Sequence, residues 1–248
     1  MEVHAHTHTE RKKFTHYLWE FLMLFLAVFC GFLAENFREH QIEHKREKEY
    51  MHSLISDLEN DTANLLAGFQ VKEERIAAID SVFLFFEKNP SVSVINGVLH
   101  RQILRTNWDR LYKRNTTTLD QLKYAGGMRL IRKKNVADSI AAYDLKWIRA
   151  EFWKEAYVNQ QEKEKESLSN IMEAADLLTA YRTNPDPLHM PAIADSIKIR
   201  IDRNFLNKFL NELTFQKIIT TQDVKAYRVL EANAEMLIRL IKDEYHIQ

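Results

Sequence analysis

Residues 51–86, MHSLISDLENDTANLLAGFQVKEERIAAIDSVFLFF, carry the reading on which the rest of the chain depends. Met51, Ile55, Leu58, Thr62, Leu65, Phe69, Lys72, Ile76, Ile79, Phe83 and Phe86 follow one another in alternating steps of four and three. That spacing predicts a helix buried along one stripe. Within the stripe only Thr62 and Lys72 are polar. An ammonium at Lys72 must snorkel or meet a carboxylate, which costs stability while constraining register. The first break is Asn89-Pro90, because Pro lacks an N–H and clashes with the preceding turn.

Upstream, Asn36–Tyr50 reads as a charged helical stalk, and nothing between Tyr17 and Lys88 signals a stop. Tyr17–Ala34 is apolar and about 27 Å long as a helix, close to a hydrocarbon core of about 30 Å. Tyr17 and Trp19 suit the interface, and Glu20, one turn from the end, reads as interfacial. We therefore expect a transmembrane helix. The alternative is a buried core helix, since the strictly apolar part is only Phe21–Ala34. A cleaved signal peptide fits less well, because no small-x-small site with a change of composition follows. Basic residues stand on both sides of the span, so they do not decide orientation by count. Arg11, Lys12 and Lys13 are bunched and barely balanced by acid, which favours a cytoplasmic amino terminus and a periplasmic domain. Ala27 and Gly31 form a small-x-x-x-small step that lets two spans approach. Together with Ile55, Leu58, Phe69 and Lys72 of the seam, they are the candidates for self-association.

Downstream the pattern stays helical. A helix is expected over Val94–Leu111 with Trp108 and Leu111 as anchors, then a short one capped by Thr116, Thr117 or Thr118. Gly126-Gly127 ends it, since glycine accepts the left-handed conformation of a helix C-terminus. Val136–Tyr181 reads as a second long helix with two faces, Ile140–Tyr143–Trp147–Ala150–Lys154–Tyr157 and Leu145–Ile148–Phe152–Ala156, apolar but for Lys154, hence sandwiched between neighbours. Asn159–Glu166 within it reads as a solvated polar waist. After the Asn184-Pro185-Asp186-Pro187 loop, a helix is expected over Ile193–Leu213, and a last one capped by Thr220 or Thr221. The domains are thus a tail (1–16), a span (17–34), a stalk (35–50) and a bundle (51–248). The fold class is all-α: an N-terminal transmembrane helix running into an elongated antiparallel helical bundle or coiled coil. The first and second long helices are expected to form an antiparallel pair.

With 35 basic and 35 acidic residues the net charge is zero, so no field favours nucleic acid. The one cysteine, Cys30, excludes an intrachain disulfide. Metal-ligand candidates are weak: His4, His6 and His8 alternate in the tail, and His40 and His44 share a helix face in the stalk. In each case a solvated surface explains the residues as well. A nucleophile elbow, dinucleotide fingerprint, zinc helix and EF-hand loop are all absent. Carboxylates are expected on solvated faces, without an apolar pocket to raise a pKa.

Two stretches carry a resemblance. One comprises Phe32-Leu33-Ala34-Glu35-Asn36-Phe37-Arg38-Glu39-His40, Arg46-Glu47-Lys48-Glu49-Tyr50 and Leu54-Ile55-x-Asp57-Leu58. The other is Leu122-Lys123-x-x-Gly126-Gly127-Met128-x-Leu130-Ile131. They resemble an uncharacterised family of single-pass bacterial envelope proteins, with an N-terminal span and a helical domain. The resemblance implies a single-pass envelope location and supplies no activity or catalytic residue; with the span and orientation read above, the expected location is the inner membrane. The expected partners are the lipid bilayer and proteins, a second copy among them, with no cofactor or small-molecule substrate. The expected role is an anchored scaffold or accessory subunit. Its rivals are a ligand-sensing bundle that signals through a partner, and an enzyme without a recognisable motif.

Overall fold

The computed structural model describes residues 14–108, 112–175, 178, 197–198 and 202–247. The tail histidines His4, His6 and His8, the anchor Leu111, the Asn184–Pro187 loop and Ile193 lie outside them. The chain is all-α and divides into two compact units, Met1–Tyr50 and Met51–Gln248.

Helix α1 runs unbroken over Phe14–Lys88. Its end is set at Asn89, whose backbone N–H and side-chain amide both donate to the Phe85 carbonyl before Pro90 stops the ladder. In the first unit, residues 14–42 are all exposed, and their apolar part is long enough to cross a membrane. Phe21, Phe25 and Phe29 stack along one of its faces. Glu20 is paired with His16, 3.1 Å away, one turn back. In the stalk, Arg38 bonds Glu35, and His40 and His44 each face their own glutamate, Glu43 at 3.6 Å and Glu47 at 3.3 Å.

In the second unit the predicted seam faces inward. Met51, Ile55, Leu58, Leu65, Phe69, Lys72, Ile79 and Phe86 are buried, and Thr62, Ile76 and Phe83 half-buried. The buried stripe is wider than the seam, taking in Leu54, Asp61, Gly68, Arg75 and Val82 as well. Ile55, Leu58, Phe69 and Lys72 are therefore occupied by packing within the chain. Of the self-association candidates, Ala27 and Gly31 remain exposed, and a Cβ on Gly31 would meet nothing.

The expected Val94–Leu111 helix divides. Val94–Ile95 is strand β1, paired antiparallel with β2 (Ile197–Lys198). Helix α2 (Gly97–Thr106) then starts at Asn96, whose side chain accepts from the Leu99 N–H at 2.9 Å. Trp108 is exposed and does not anchor it. Helix α3 (Thr117–Tyr124) has Thr116 at its N-cap without a side-chain capping bond. Asn115 and Asp57 cap it instead, accepting from the Thr117 and Thr118 N–H groups at 3.1 and 3.0 Å. Gly126 adopts the left-handed conformation (φ 75°) and turns the chain into a 3₁₀ segment, Gly127–Leu130.

Helix α4 is Lys134–Ser169, shorter than expected. Ser169 Oγ and Asn170 Nδ2 both donate to the Glu166 carbonyl, competing with the next helical turn. Helix α5, Arg203–Tyr245, replaces the two final helices read from the sequence. Asp202 caps it, accepting from the Asn204 N–H at 2.8 Å. Thr220 and Thr221 are not caps: their hydroxyls donate back to the Gln216 and Lys217 carbonyls inside the helix. Pairs Glu59–Lys242, Glu73–Arg228 and Asp80–Lys217 make α5 antiparallel to α1. Asn135–Glu244, Gln160–Glu212 and Glu166–Lys208 make it antiparallel to α4. Thus α1 and α4 run the same way, against the antiparallel pairing expected of them, and α5 is the antiparallel partner of both. Ile79, Val82, Phe86, Ile103, Ile171, Phe209 and Leu213 close one end of the core.

Only one face of α4 is sandwiched. Ile140, Tyr143, Trp147, Ala150 and Tyr157 are buried, whereas Leu145, Ile148 and Phe152 are 65, 68 and 62% exposed.

Candidate functional site

The most concentrated chemistry is inside the bundle. Lys72 and Arg75 stand three residues apart on α1, hence on one face, and both are buried. The Lys72 Nζ is 2.8 Å from Asp223 Oδ2 on α5. Arg75 Nη2 is 2.8 Å from Glu164 Oε2 on α4, and Nη1 donates to the Tyr157 hydroxyl. The two cations share the Tyr157 ring, Lys72 at 3.8 Å and Arg75 at 4.8 Å from its centroid. The other oxygen of Glu164 accepts from Asn107 Nδ2 at 3.2 Å, and the Asn107 carbonyl accepts from Gln161 at 2.7 Å. The network therefore ties α1, α4, α5 and the end of α2 together.

The stretch Asn159–Glu166 is not a solvated waist: Gln160, Gln161 and Glu164 are buried, and they form the α4 half of this network. Nor do all carboxylates sit on solvated faces. Burial pushes the Glu164 carboxyl up to about 7, against the pull of Arg75 and the Thr106 hydroxyl. Burial likewise raises Asp61, against the pull of the Tyr112 phenol and of the Asn115 N–H that bonds it.

Asp57 and Asp61, four apart, form a second polar cluster on α1. Asp57 accepts from Asn115 Nδ2 at 2.7 Å, and Asp61 from the Asn115 N–H at 3.0 Å. Burial and the Asp61 carboxylate hold the Tyr112 phenol far above its usual range. Its ring stacks on Trp147 at 5.5 Å and meets Tyr227 edge-on. Beside it lies an open groove of 820 Å³, with Trp147, Ile148 and Phe152 among its lining residues and Arg114, Lys123, Asp144, Glu151 and Lys154 around them. Burial pushes Asp144 up, but bonds from Lys123 and Arg114 outweigh it and hold the carboxyl below its ordinary value.

Chemically, these groups are arranged to hold helices. Arg75 covers Glu164, Lys72 covers Asp223, and Arg114 with Lys123 covers Asp144. Among the described residues no group of three or more His, Cys, Asp or Glu can hold a metal ion. His40 and His44 belong to no such group; each faces a glutamate of its own, Glu43 and Glu47. Of the whole network, the sequence pattern marks only Lys72, as a polar residue in the α1 seam, and Tyr157, as a core position of the second long helix. No family model, curated protein or solved structure matches the chain.

Proposed function

We propose that the chain is a membrane-anchored helical scaffold or accessory subunit of an envelope protein complex. Its carboxy-terminal domain lies on the periplasmic side of the inner membrane and performs no catalysis. The observation that carries this reading is the outward apolar stripe of α4, Leu145, Ile148 and Phe152, on a helix whose opposite face is committed to the bundle. The buried acids and bases of the same domain are tied into pairs that fasten helices, which supports a structural rather than a chemical use. The exposed apolar stretch of α1 supports the anchor.

The test is Leu145→Glu together with Phe152→Glu, both at exposed positions. Far-ultraviolet circular dichroism and melting should stay as in the wild type. Recovery of the proteins that co-purify from detergent-solubilised membranes should be lost. An unchanged set of co-purifying proteins would sink the reading. A C-terminal reporter that works only in the cytosol would reverse the orientation. Ligand sensing is the second reading, supported by the groove beside Trp147. It requires a small molecule whose binding raises the melting temperature of the wild type but not of Trp147→Ala.

A further inference from the structure

Along α1, Met51, Leu58, Leu65, Ile79 and Phe86 lie on one row of buried positions seven apart, with Leu54 and Val82 on a second. Rows that repeat every seven residues present similar surfaces after a slide of one heptad, about 10.5 Å. Apolar packing alone therefore leaves α1 several comparable axial positions against α4 and α5. The same two rows carry Asp61, Lys72 and Arg75.

We propose that these buried charges are a register lock, which admits one axial position of α1 and excludes its heptad-shifted alternatives. Slid one heptad in one direction, α1 would set Ile79 and Val82 in the places of Lys72 and Arg75; slid in the other, it would set Leu65 and Gly68 there. Asp223 and Glu164 would then face groups that offer no charge, and both cations would enter places filled by small or apolar residues. Buried charge without counter-charge is penalised far more than imperfect apolar packing. Asp57 and Asp61 fasten the same register a few turns away, through the Asn115 and Thr118 N–H groups. The lock is independent of which partner the domain meets.

Cross-linking tests it in the full chain, in detergent, with Cys30 replaced by Ser. Glu59 and Lys242 touch across α1 and α5, at 3.3 Å. Cysteines at 59 and 242 should be joined by a short bismaleimide, while 52 with 242 and 66 with 242 should not. In Lys72→Leu/Arg75→Leu/Glu164→Leu/Asp223→Leu, the 52–242 or 66–242 product should appear beside the 59–242 product. A folded variant of this kind that links only 59 to 242 would overturn the proposal. Should that variant fail to fold, Lys72→Asp is compared with Lys72→Asp/Asp223→Lys. The single change should abolish the 59–242 product and the exchange should restore it. Failure of the exchange to restore it would also overturn the lock.

Discussion

Replacing Lys72 by Leu separates two accounts of the core. On the sequence alone, a lysine in an apolar seam is a cost, and Lys72→Leu is expected to raise the melting temperature. The structure reverses the sign. Lys72 is only 2% exposed, so its ammonium does not reach water, and its partner Asp223 is fully buried at 2.8 Å. Removing one member of such a pair leaves an uncompensated charge and costs about 3–5 kcal/mol. The contact with the Tyr157 ring, at 3.8 Å, adds about 1 kcal/mol to the loss. Burying the leucine returns about 2 kcal/mol. The net is a loss of roughly 2–4 kcal/mol. For a chain of this size that lowers the melting temperature by about 5–15 °C. The double variant Lys72→Leu/Asp223→Leu removes both charges and should melt near or above the wild type. Thermal unfolding followed by circular dichroism at pH 7, in detergent, measures all three proteins. A single variant that melts at or above the wild type would refute the buried pair.

Glu164→Gln tests the raised carboxyl. With its folded value near 7 and its ordinary value at 4.5, the native state binds more protons than the unfolded chain between the two. This group's contribution is therefore full below about pH 4.5 and is lost as pH rises through 7, about 3 kcal/mol in all. Melting measured from pH 5 to 8 should slope downward in the wild type and flatten in Glu164→Gln; equal slopes would count against the assignment. Asp57→Ala removes the carboxylate that caps α3 across the fold and should destabilise by about 1–2 kcal/mol in denaturant titrations. Gly68→Ala, inside α1 where a Cβ would meet nothing, should stabilise by about 0.5–1 kcal/mol; a lower denaturation midpoint would show that the space is needed.

The helical class, the apolar stretch at the amino terminus, the stop at Asn89 and the inward seam of α1 were all legible in the residues, because each depends on local chemistry. What the residues hid depends on neighbours. A heptad seam says that one face is buried, but not by how many helices. Because α1 packs against both α4 and α5, its stripe widens to a second row, Leu54, Asp61, Gly68, Arg75 and Val82. Three of those five residues are not hydrophobic, so a search for apolar periodicity passes over the row. The relative direction of α1 and α4 was equally out of reach, since it is fixed by α2, α3 and the chain between them. The outward Leu145–Ile148–Phe152 stripe misled for a different reason. Apolar residues at helical spacing predict intrachain core, and here no described part of the chain covers them.

The missed half of the ionic network did leave a signal in the phase of α4. Ile140, Tyr143, Trp147, Ala150, Lys154 and Tyr157 follow steps of three and four, and the same steps continue through Gln160 or Gln161 to Glu164 and on to Ser167 or Leu168. A solvated waist has no reason to keep the phase of a buried face, because water meets all sides of a helix alike. Continuity of phase through polar residues therefore implies burial, and a buried Glu164 either takes a cation within reach or keeps its proton. On α1 the phase of the seam offers Lys72 and, three residues on, Arg75, one cation for each of two buried acids. Asp223 has the same mark on α5, standing in step between Thr220 and Tyr227. Phase thus places four buried acids or amides (Gln160, Gln161, Glu164 and Asp223), two cations and an intervening tyrosine on inward faces. Which cation meets which acid still depends on the direction and offset of the helices, and those are properties of the packed bundle.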